Sequence, residues 1–196
     1  MDLLQADERI EAENIFIIGH SLGGQLAPVI LNRDESINGA IMLAGTPVHL
    51  LDVLMEQIKK QSVELYDEYL PIYDHIRNLK VPVAGQHNYV YFGYYQFFWV
   101  DYNLIDIEDE TFLASEKHPL LIMQGDLDLQ VSVKDFKLYK DLLAENNDVV
   151  FKLYEGLNHC FVDGEGETIN NAYKKKKMIP EYVFVDIYDF IENNRK

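Results

Sequence analysis

The chain has 196 residues, of which 48% are hydrophobic and 26% are charged, a composition that suits one globular domain with a sizeable core. Its 33 acidic and 17 basic residues give a net charge of −16, and a field of that sign repels phosphate backbones and anionic lipids. We therefore expect no nucleic-acid partner and no membrane partner, and no apolar run reaches the roughly 20 residues of a membrane helix.

Helix-like and strand-like patterns alternate along the chain. Residues 2–12 are typical of the end of an amphipathic helix. The run NIFIIG at 14–19 is short, apolar and rich in isoleucine, as in a buried parallel strand. Residues 21–33 predict a helix, in which Pro28 interrupts the hydrogen-bond ladder.

The second half of the alternation predicts three more strands. These strands are GAIMLAG at 39–45, PLLIMQG at 119–125 and DVVFKLYEG at 148–156. Amphipathic helices are predicted for 132–146 and 180–194. Strands that alternate with helices imply an α/β fold with a parallel sheet of about four strands and helices on its faces.

The stretch between the strands predicted for 39–45 and 119–125 breaks the alternation of strands and helices. Residues 49–80 have helical periodicity, and YVYFGYYQFFWVDY at 89–102 is dense in aromatic side chains. An insertion at this point of a sheet is where a cap or lid would lie. We therefore predict a core formed by 1–48 and 117–196, and a cap formed by 49–116.

The aromatic block of the predicted cap has two interpretations. It can line a pocket for an acyl or aromatic substrate, for which the candidate residues are Tyr91, Tyr94, Tyr95 and Trp99. It can equally form the hydrophobic core of the cap itself. Aromatic side chains dominate both settings, so the sequence leaves the two open.

The sequence GHSLG at 19–23 lies between a predicted strand and a predicted helix. In this context Gly-x-Ser-x-Gly holds a serine, here Ser21, on a sharp strained turn above the carboxyl end of the sheet. Gly19 and Gly23 flank the turn and leave room for close approach. The helix start supplies backbone N–H groups, first that of Leu22, for an oxyanion. The alternative is a chance helix cap of small residues, but strand, motif and helix follow the order that the mechanism needs.

An activated serine needs a base and an acid that orients the base. Ligands of parallel sheets bind beyond the carboxyl ends of the strands, so the partners should follow later strands. Asp126 and Asp128 follow the third strand, and His159 follows the fourth. The order Ser, Asp, His along the chain is the one expected for such a site. Asp126 competes with Asp128 for the role of the acid, its alternative being a turn residue.

Three segments together resemble the α/β-hydrolase superfamily: NIFIIGHSLGGQLAP, IMQGDLDLQV and YEGLNHCF. They are most similar to its bacterial esterase and prolyl-oligopeptidase-like branches, in which Gly-x-x-Asp follows the seventh strand and matches Gly125 and Asp128. The resemblance implies Ser21 as the nucleophile, His159 as the general base and Asp128 as the orienting acid. The chemistry it implies needs no cofactor.

The resemblance also implies that the N-terminal half of the fold is absent, because a full member has about four strands before the nucleophile strand. That half would form one side of the sheet and supply the second oxyanion N–H group, beside that of Leu22. Without it, strand 14–19 is an apolar edge that invites pairing with a second copy or with the missing half. We therefore expect the C-terminal part of a larger protein.

The leading functional prediction is a serine hydrolase that cleaves a carboxylic ester or a related acyl substrate through an acyl-enzyme. Thioesterase and short-peptide peptidase activities would use the same residues. A hypothesis of another class is a catalytically silent truncated domain that serves as an interaction or dimerisation module. The expected location is the cytoplasm, since the acidic N-terminus is unlike a signal peptide, with secretion open if an N-terminal region has been removed.

The remaining candidates have plainer interpretations. His20 is predicted to be structural and to point away from the face of the nucleophile. No metal site is predicted, because ligand-like spacing is lacking among His49, His75, His87 and His118. Cys160, the one cysteine, excludes an internal disulfide and is expected to be a small buried residue. KKKK at 174–177 is a solvated face or a local anion patch.

Overall fold

The computed structural model describes residues 4, 6–11, 13–85, 89–168, 171–174 and 176–196. The chain forms two compact units, the first made of Met1–Pro47 and Ile107–Lys196, the second of Val48–Asp106. In chain order the elements are β1 (Phe16–His20), α1 (Leu22–Leu31), β2 (Gly39–Leu43), α2 (Leu50–Gln61), α3 (Val63–Arg77), β3 (Val90–Tyr91), β4 (Tyr94–Tyr95), α4 (Gln96–Tyr102), α5 (Ile107–Ser115), β5 (Leu120–Gly125), α6 (Val133–Leu142), β6 (Val149–Tyr154) and α7 (Glu181–Asn194). The helix predicted for 2–12 lies partly outside the described residues, and those of 6–11 form turns and bends.

Four strands of the first unit form one parallel sheet in the order β1-β2-β5-β6. All six residues of β5 are buried, which explains why the apolar runs of this sheet are continuous rather than alternating. The predicted α/β class and the parallel sheet of four strands are confirmed. Each strand begins and ends within a few residues of its predicted bounds.

The two faces of the sheet carry separate hydrophobic cores. On one face Met42 of β2 and Ile122 of β5 pack with apolar residues of α1, α5 and α6. On the other face Ile41 packs with residues of α7, among them Phe190. Neighbouring residues of a strand point to opposite faces, so one short run such as β2 serves both cores. The carboxyl ends of all four strands are thereby held at one edge of the sheet.

Helix α5 belongs to the first unit, which corrects the predicted cap boundary of 49–116. Ala114 of α5 is buried in the same core as Leu31 of α1. The side-chain amide of Asn32 donates to the backbone oxygen of Glu110 at 2.8 Å and to its carboxylate at 2.6 Å. Acidic residues fill the first turn of α5, so the sequence pattern does not reveal the small residues of this helix that pack on α1. The second unit therefore ends at Asp106.

The second unit contains two helices where the sequence has one periodic stretch. The break is at Ser62, whose backbone is extended with φ −160° and whose hydroxyl accepts a hydrogen bond from the Leu65 amide at 3.2 Å. The hairpin β3-β4 and helix α4 follow. Trp99 of α4 is fully buried, and its indole N–H donates to the Tyr91 carbonyl at 2.9 Å. Of the aromatic block, Trp99 and Tyr102 are buried and form part of the core of this unit, whereas Tyr95 and Phe97 are exposed.

His49 joins three segments of the second unit. Its Nδ1 accepts a hydrogen bond from the Leu51 amide at 3.3 Å, and its Nε2 lies 3.1 Å from Asn103 Oδ1. The Asn103 amide group donates in turn to the Ile76 carbonyl at 2.7 Å. An accepting Nδ1 leaves the proton on Nε2, so this arrangement needs a neutral ring. Burial, and next the charge of Arg77, lowers the pKa of His49 to about 4.

This network predicts a stability that depends on pH. The pKa of His49 is about 4 in the folded protein and about 6.5 in the unfolded chain. The contribution of the neutral ring to the free energy of unfolding is therefore complete above pH 6.5 and is lost as the pH falls toward 4. We expect a loss of about 2 kcal/mol, discounted for partial exposure. Urea unfolding at pH 7.5 and 4.5, followed by the fluorescence of Trp99, measures it. The control His49→Asn keeps the acceptor of the helix cap without the titration, so an equal pH dependence in both proteins would contradict the assignment.

Candidate active site

Ser21 occupies the turn between β1 and α1. Its backbone has φ 55° and ψ −118°, a conformation that costs a residue other than glycine about 1–3 kcal/mol. The turn is held on both sides, because the Ser21 amide donates to the Leu43 carbonyl at 2.8 Å and its carbonyl accepts from the Gln25 amide at 3.0 Å. Leu22 is the first residue of α1, where backbone N–H groups have no acceptor within the helix. This is the strand–turn–helix geometry that presents a nucleophile.

The two glycines of the motif have different surroundings. A Cβ atom on Gly19 would lie 2.1 Å from the Gly23 carbonyl oxygen, so only glycine fits there. A Cβ atom on Gly24 would lie 3.0 Å from the Gly19 and Leu43 carbonyl oxygens. Around Gly23, by contrast, the described residues place nothing within 4 Å of such an atom. The prediction that the glycines allow a close approach of neighbouring backbone is therefore right for Gly19 and wrong for Gly23.

Asp128 follows β5 and has a fully buried side chain. Its Oδ1 accepts hydrogen bonds from the amides of Gln130 at 2.7 Å and Val131 at 2.9 Å. Its Oδ2 accepts from the side-chain amide of Gln124 at 2.9 Å and lies 2.7 Å from His159 Nδ1. Four partners therefore fix the carboxylate, and one of them is the imidazole that the sequence singles out.

Asp126 has a different partner. Its Oδ1 accepts a hydrogen bond from the Gly156 amide at 2.7 Å, and its own amide donates to the Tyr154 carbonyl at 3.0 Å. These contacts join the ends of β5 and β6, as expected of a turn aspartate. Of the two candidate acids, Asp128 is the one in contact with His159.

The loop that carries His159 crosses the carboxyl end of the sheet. It leaves β6, and β6 and β1 are three strand spacings apart, about 14 Å. The Leu157 carbonyl accepts from the Leu127 amide at 2.9 Å, and a Cβ atom on Gly125 would lie 2.3 Å from that same carbonyl oxygen. The loop therefore lies directly on the end of β5, where Gly125 makes room for it.

Asn158 folds this loop on itself. It is fully buried, its Oδ1 accepts from the Cys160 amide at 2.9 Å, and its Nδ2 donates to Glu167 Oε2 at 2.8 Å. Lys177 in turn contacts Glu167 at 3.2 Å. Lys177 of the basic run thus pairs within the chain, whereas Lys175 lies outside the described residues. Nothing in the sequence pattern around Asn158 signals this role.

His20 is in contact with His159. Its Nε2 lies 2.8 Å from the His159 carbonyl oxygen, and the two ring centroids are 4.7 Å apart. The prediction that His20 points away from the site is therefore wrong. Because Ser21 is the next residue, this contact places the loop of His159 at the same corner of the sheet as the serine turn.

The predicted substrate-binding residues all lie in the second unit. Trp99 is fully buried and has no surface to offer a ligand, so it serves the core. Tyr91 and Tyr94 are partly exposed, and Tyr95 is 49% exposed. For these three tyrosines, substrate contact stays a prediction.

The other predicted non-catalytic residues have local partners. His75 packs edge-on against Tyr91, with 5.8 Å between the ring centroids. Burial lowers the pKa of His118. His87 lies outside the described residues. Cys160 is exposed rather than buried, although partial burial and the nearby Asp128 raise the pKa of its thiol. Within the described ranges, His, Cys, Asp and Glu form no group suited to a metal ion, and no helix is long and apolar enough to cross a membrane.

The parallel sheet of four strands with helices on its faces is part of an α/β-hydrolase fold. Within that class the sequence is specific. A model of the prolyl oligopeptidase family matches residues 1–194, and the chain belongs to this family. The resemblance found in the sequence is thereby confirmed.

Known proteins similar to this chain include esterases and a peptidase. Esterase EstD of Thermotoga maritima is 27% identical over 184 residues, which cover 92% of this chain and 43% of EstD. Two solved structures share the fold over the whole chain. They are the esterase Pf2001 of Pyrococcus furiosus, with 15% identity, a TM-score of 0.54 and 59% of its length covered, and the acylaminoacyl peptidase of Pyrococcus horikoshii, with 13%, 0.58 and 26%. The chain thus spans less than two thirds of each of these relatives.

Proposed function

We propose that the chain carries the nucleophile, base and acid of a serine hydrolase that cleaves a carboxylic ester or a related acyl substrate. The observation that carries this proposal is the buried contact of 2.7 Å between His159 Nδ1 and Asp128 Oδ2. It lies at the carboxyl edge of the sheet, where the strained turn of Ser21 also lies. Membership of the prolyl oligopeptidase family and the similarity to EstD support the same chemistry.

The contact with Asp128 supports the role of general base for His159. A carboxylate accepts, so Nδ1 of His159 carries the proton and Nε2 is left as a base. Nε2 takes the proton of Ser21 Oγ while Oγ forms a bond to the acyl carbon, and Asp128 stabilises the imidazolium that results. The proton then passes to the leaving alkoxide as its bond to the acyl carbon breaks. Water hydrolyses the acyl-enzyme by the same proton transfers in reverse.

The negative charge that develops on the acyl oxygen needs hydrogen-bond donors. The N–H of Leu22 is suited to this role, because it is at the start of α1 and next to the nucleophile. The helix dipole places partial positive charge at the same end. One such donor contributes about 100- to 1000-fold to turnover, so Leu22 supplies a substantial part of the catalysis.

The two aspartates after β5 give a matched prediction. Asp128→Asn presents the wrong hydrogen-bond pattern to His159 and is expected to lower kcat about 1000- to 10000-fold. Asp126→Asn keeps the oxygen that accepts from the Gly156 amide and is expected to stay within about threefold of the parent. Turnover of a p-nitrophenyl ester by both variants measures the difference. If Asp126→Asn lowered kcat more than Asp128→Asn does, Asp128 would not be the orienting acid.

A substrate panel tests the proposed activity. It contains p-nitrophenyl esters of varied acyl length, acyl thioesters and N-acyl aminoacyl anilides, assayed on this chain and on any longer polypeptide of which it is part. Membership of the prolyl oligopeptidase family favours the peptidase alternative, which would give the highest kcat/KM on the anilides. The proposal expects the highest kcat/KM on an ester. Absence of turnover and of labelling by a fluorophosphonate in every form would favour the silent module instead.

The edge of the sheet supports a proposal about the partner of this chain. Among the described residues β1 pairs with β2 on one side only, and Ile18 is 57% exposed. Such an edge readily accepts another strand. Because the chain spans 43% of the length of EstD and 59% of that of Pf2001, we propose that a strand from the rest of a longer polypeptide covers β1. Size-exclusion chromatography of this chain alone tests it, since a stable dimer would point to a second copy.

A further inference from the structure

We propose that His20 is a positioning residue for His159, and that its Nε2–H holds the loop of the base at the end of the strand that carries the nucleophile. The inference rests on the proposed function, because it concerns the same site. The two residues are 139 positions apart in sequence, yet His20 Nε2 and the His159 carbonyl oxygen are 2.8 Å apart. No motif requires this contact, since the variable position of Gly-x-Ser-x-Gly accepts other residues.

The direction of this hydrogen bond is fixed by chemistry. A backbone carbonyl can only accept, so Nε2 of His20 must be the donor. Both the neutral tautomer with its proton on Nε2 and the imidazolium satisfy that condition. The tilt of 52° and centroid distance of 4.7 Å between the two rings bring the His20 ring alongside that of His159.

The rest of the loop is anchored to β5 rather than to β1. Leu157 is bound to Leu127, and His159 is bound to Asp128, both of which follow β5. The ends of β5 and β1 are two strand spacings apart, about 10 Å. Contacts at β5 alone therefore leave the distance from the imidazole to the serine loosely defined. The bond from His20 joins the loop to β1 directly, one residue before Ser21.

The reach of the donor provides a sharp test. The amide nitrogen of glutamine is as many bonds from Cα as Nε2 of histidine is, whereas that of asparagine is one bond shorter. His20→Gln can therefore donate to the His159 carbonyl, and His20→Asn cannot reach it. The pair differs by one methylene group and has the same polar group, so it is a matched control for size and polarity.

The first readout is kinetic. Misplacement of a base lowers turnover more than it weakens binding, so His20→Asn is expected to lower kcat about 10-fold and change KM less than about 2-fold. His20→Gln is expected to keep kcat within about 3-fold of the parent protein. The parent and Ser21→Ala are assayed first. An inactive parent, or an active Ser21→Ala variant, would contradict the proposed function and not this inference.

The second readout does not need activity. Amide hydrogen exchange of a peptide spanning 157–161, measured by mass spectrometry, reports on the loop through hydrogen-bonded amides such as those of Cys160 and Phe161. We expect exchange about 10-fold faster in His20→Asn and unchanged in His20→Gln. Equal exchange in both variants would overturn the inference, as would equal kcat in both. Exchange that accelerates throughout the first unit would also overturn it, since His20 would then stabilise the fold generally.

Discussion

Ser21→Ala is expected to lower ester hydrolysis about 10000- to 1000000-fold while leaving the fold intact. The effect is large because the hydroxyl is the group that forms the covalent bond, and neither His159 nor Asp128 can replace it. Alanine has the same Cβ atom as serine, so the strained backbone at φ 55° is unchanged. The free energy of unfolding should therefore stay within about 0.5 kcal/mol of the parent value.

Labelling by a fluorophosphonate probe checks this result without a chosen substrate. The parent protein should be labelled at Ser21, and Ser21→Ala should not be labelled at all. Ser36→Ala is the control, because Ser36 lies in the same unit and its hydroxyl contacts only a turn carboxylate, that of Asp34 at 2.5 Å, in the described contacts. Labelling that survives in Ser21→Ala would assign the nucleophile elsewhere.

Ser21→Gly separates the strain at the turn from the chemistry. Glycine adopts positive φ without the steric penalty of a Cβ atom, so part of the estimated 1–3 kcal/mol of strain should return as stability. Activity should be lost as completely as in Ser21→Ala. If Ser21→Gly instead lowered the free energy of unfolding, the Ser21 side chain would make a stabilising contact. The positive φ of this residue would then not be a source of strain.

The sequence predicts those parts of this fold that depend on local pattern. Strands β1, β2, β5 and β6 are readable because parallel strands are buried on both faces and appear as continuous apolar runs. The location of the candidate residues Ser21, Asp128 and His159 can be predicted because each follows a strand at the same edge of the sheet. That edge is a property of parallel topology and not of distant contacts.

The contacts that position the site are not readable in this way. His20 meets His159 because a loop runs back across β5 to the end of β1, and no local pattern records the path of a loop. Gln124 donates to Asp128 from within an apolar strand, where it looks like an interruption. Helix α5 is misassigned because the acidic residues of its first turn resemble an exposed segment, whereas its buried small residues pack on α1. Each of these depends on the tertiary neighbour rather than on the segment itself.

Gly19→Ala and Gly23→Ala are expected to differ strongly in their effect on stability, although both replace a glycine of one motif. At Gly19 the added methyl group would lie 2.1 Å from a backbone oxygen, which cannot move without displacing α1. We expect the free energy of unfolding to fall by at least about 3 kcal/mol, or the protein not to fold. Gly23 lies in the first turn of α1 with open space around it, and alanine there should be neutral or stabilising by up to about 1 kcal/mol.

Urea unfolding followed by far-UV circular dichroism measures both variants, with ester turnover as a second readout. The comparison has force because the motif alone treats the two glycines as equivalent, whereas the contacts separate them. If Gly23→Ala proved as damaging as Gly19→Ala, the open space around Gly23 would not determine the effect of a methyl group there, and the distinction between the two glycines would be wrong.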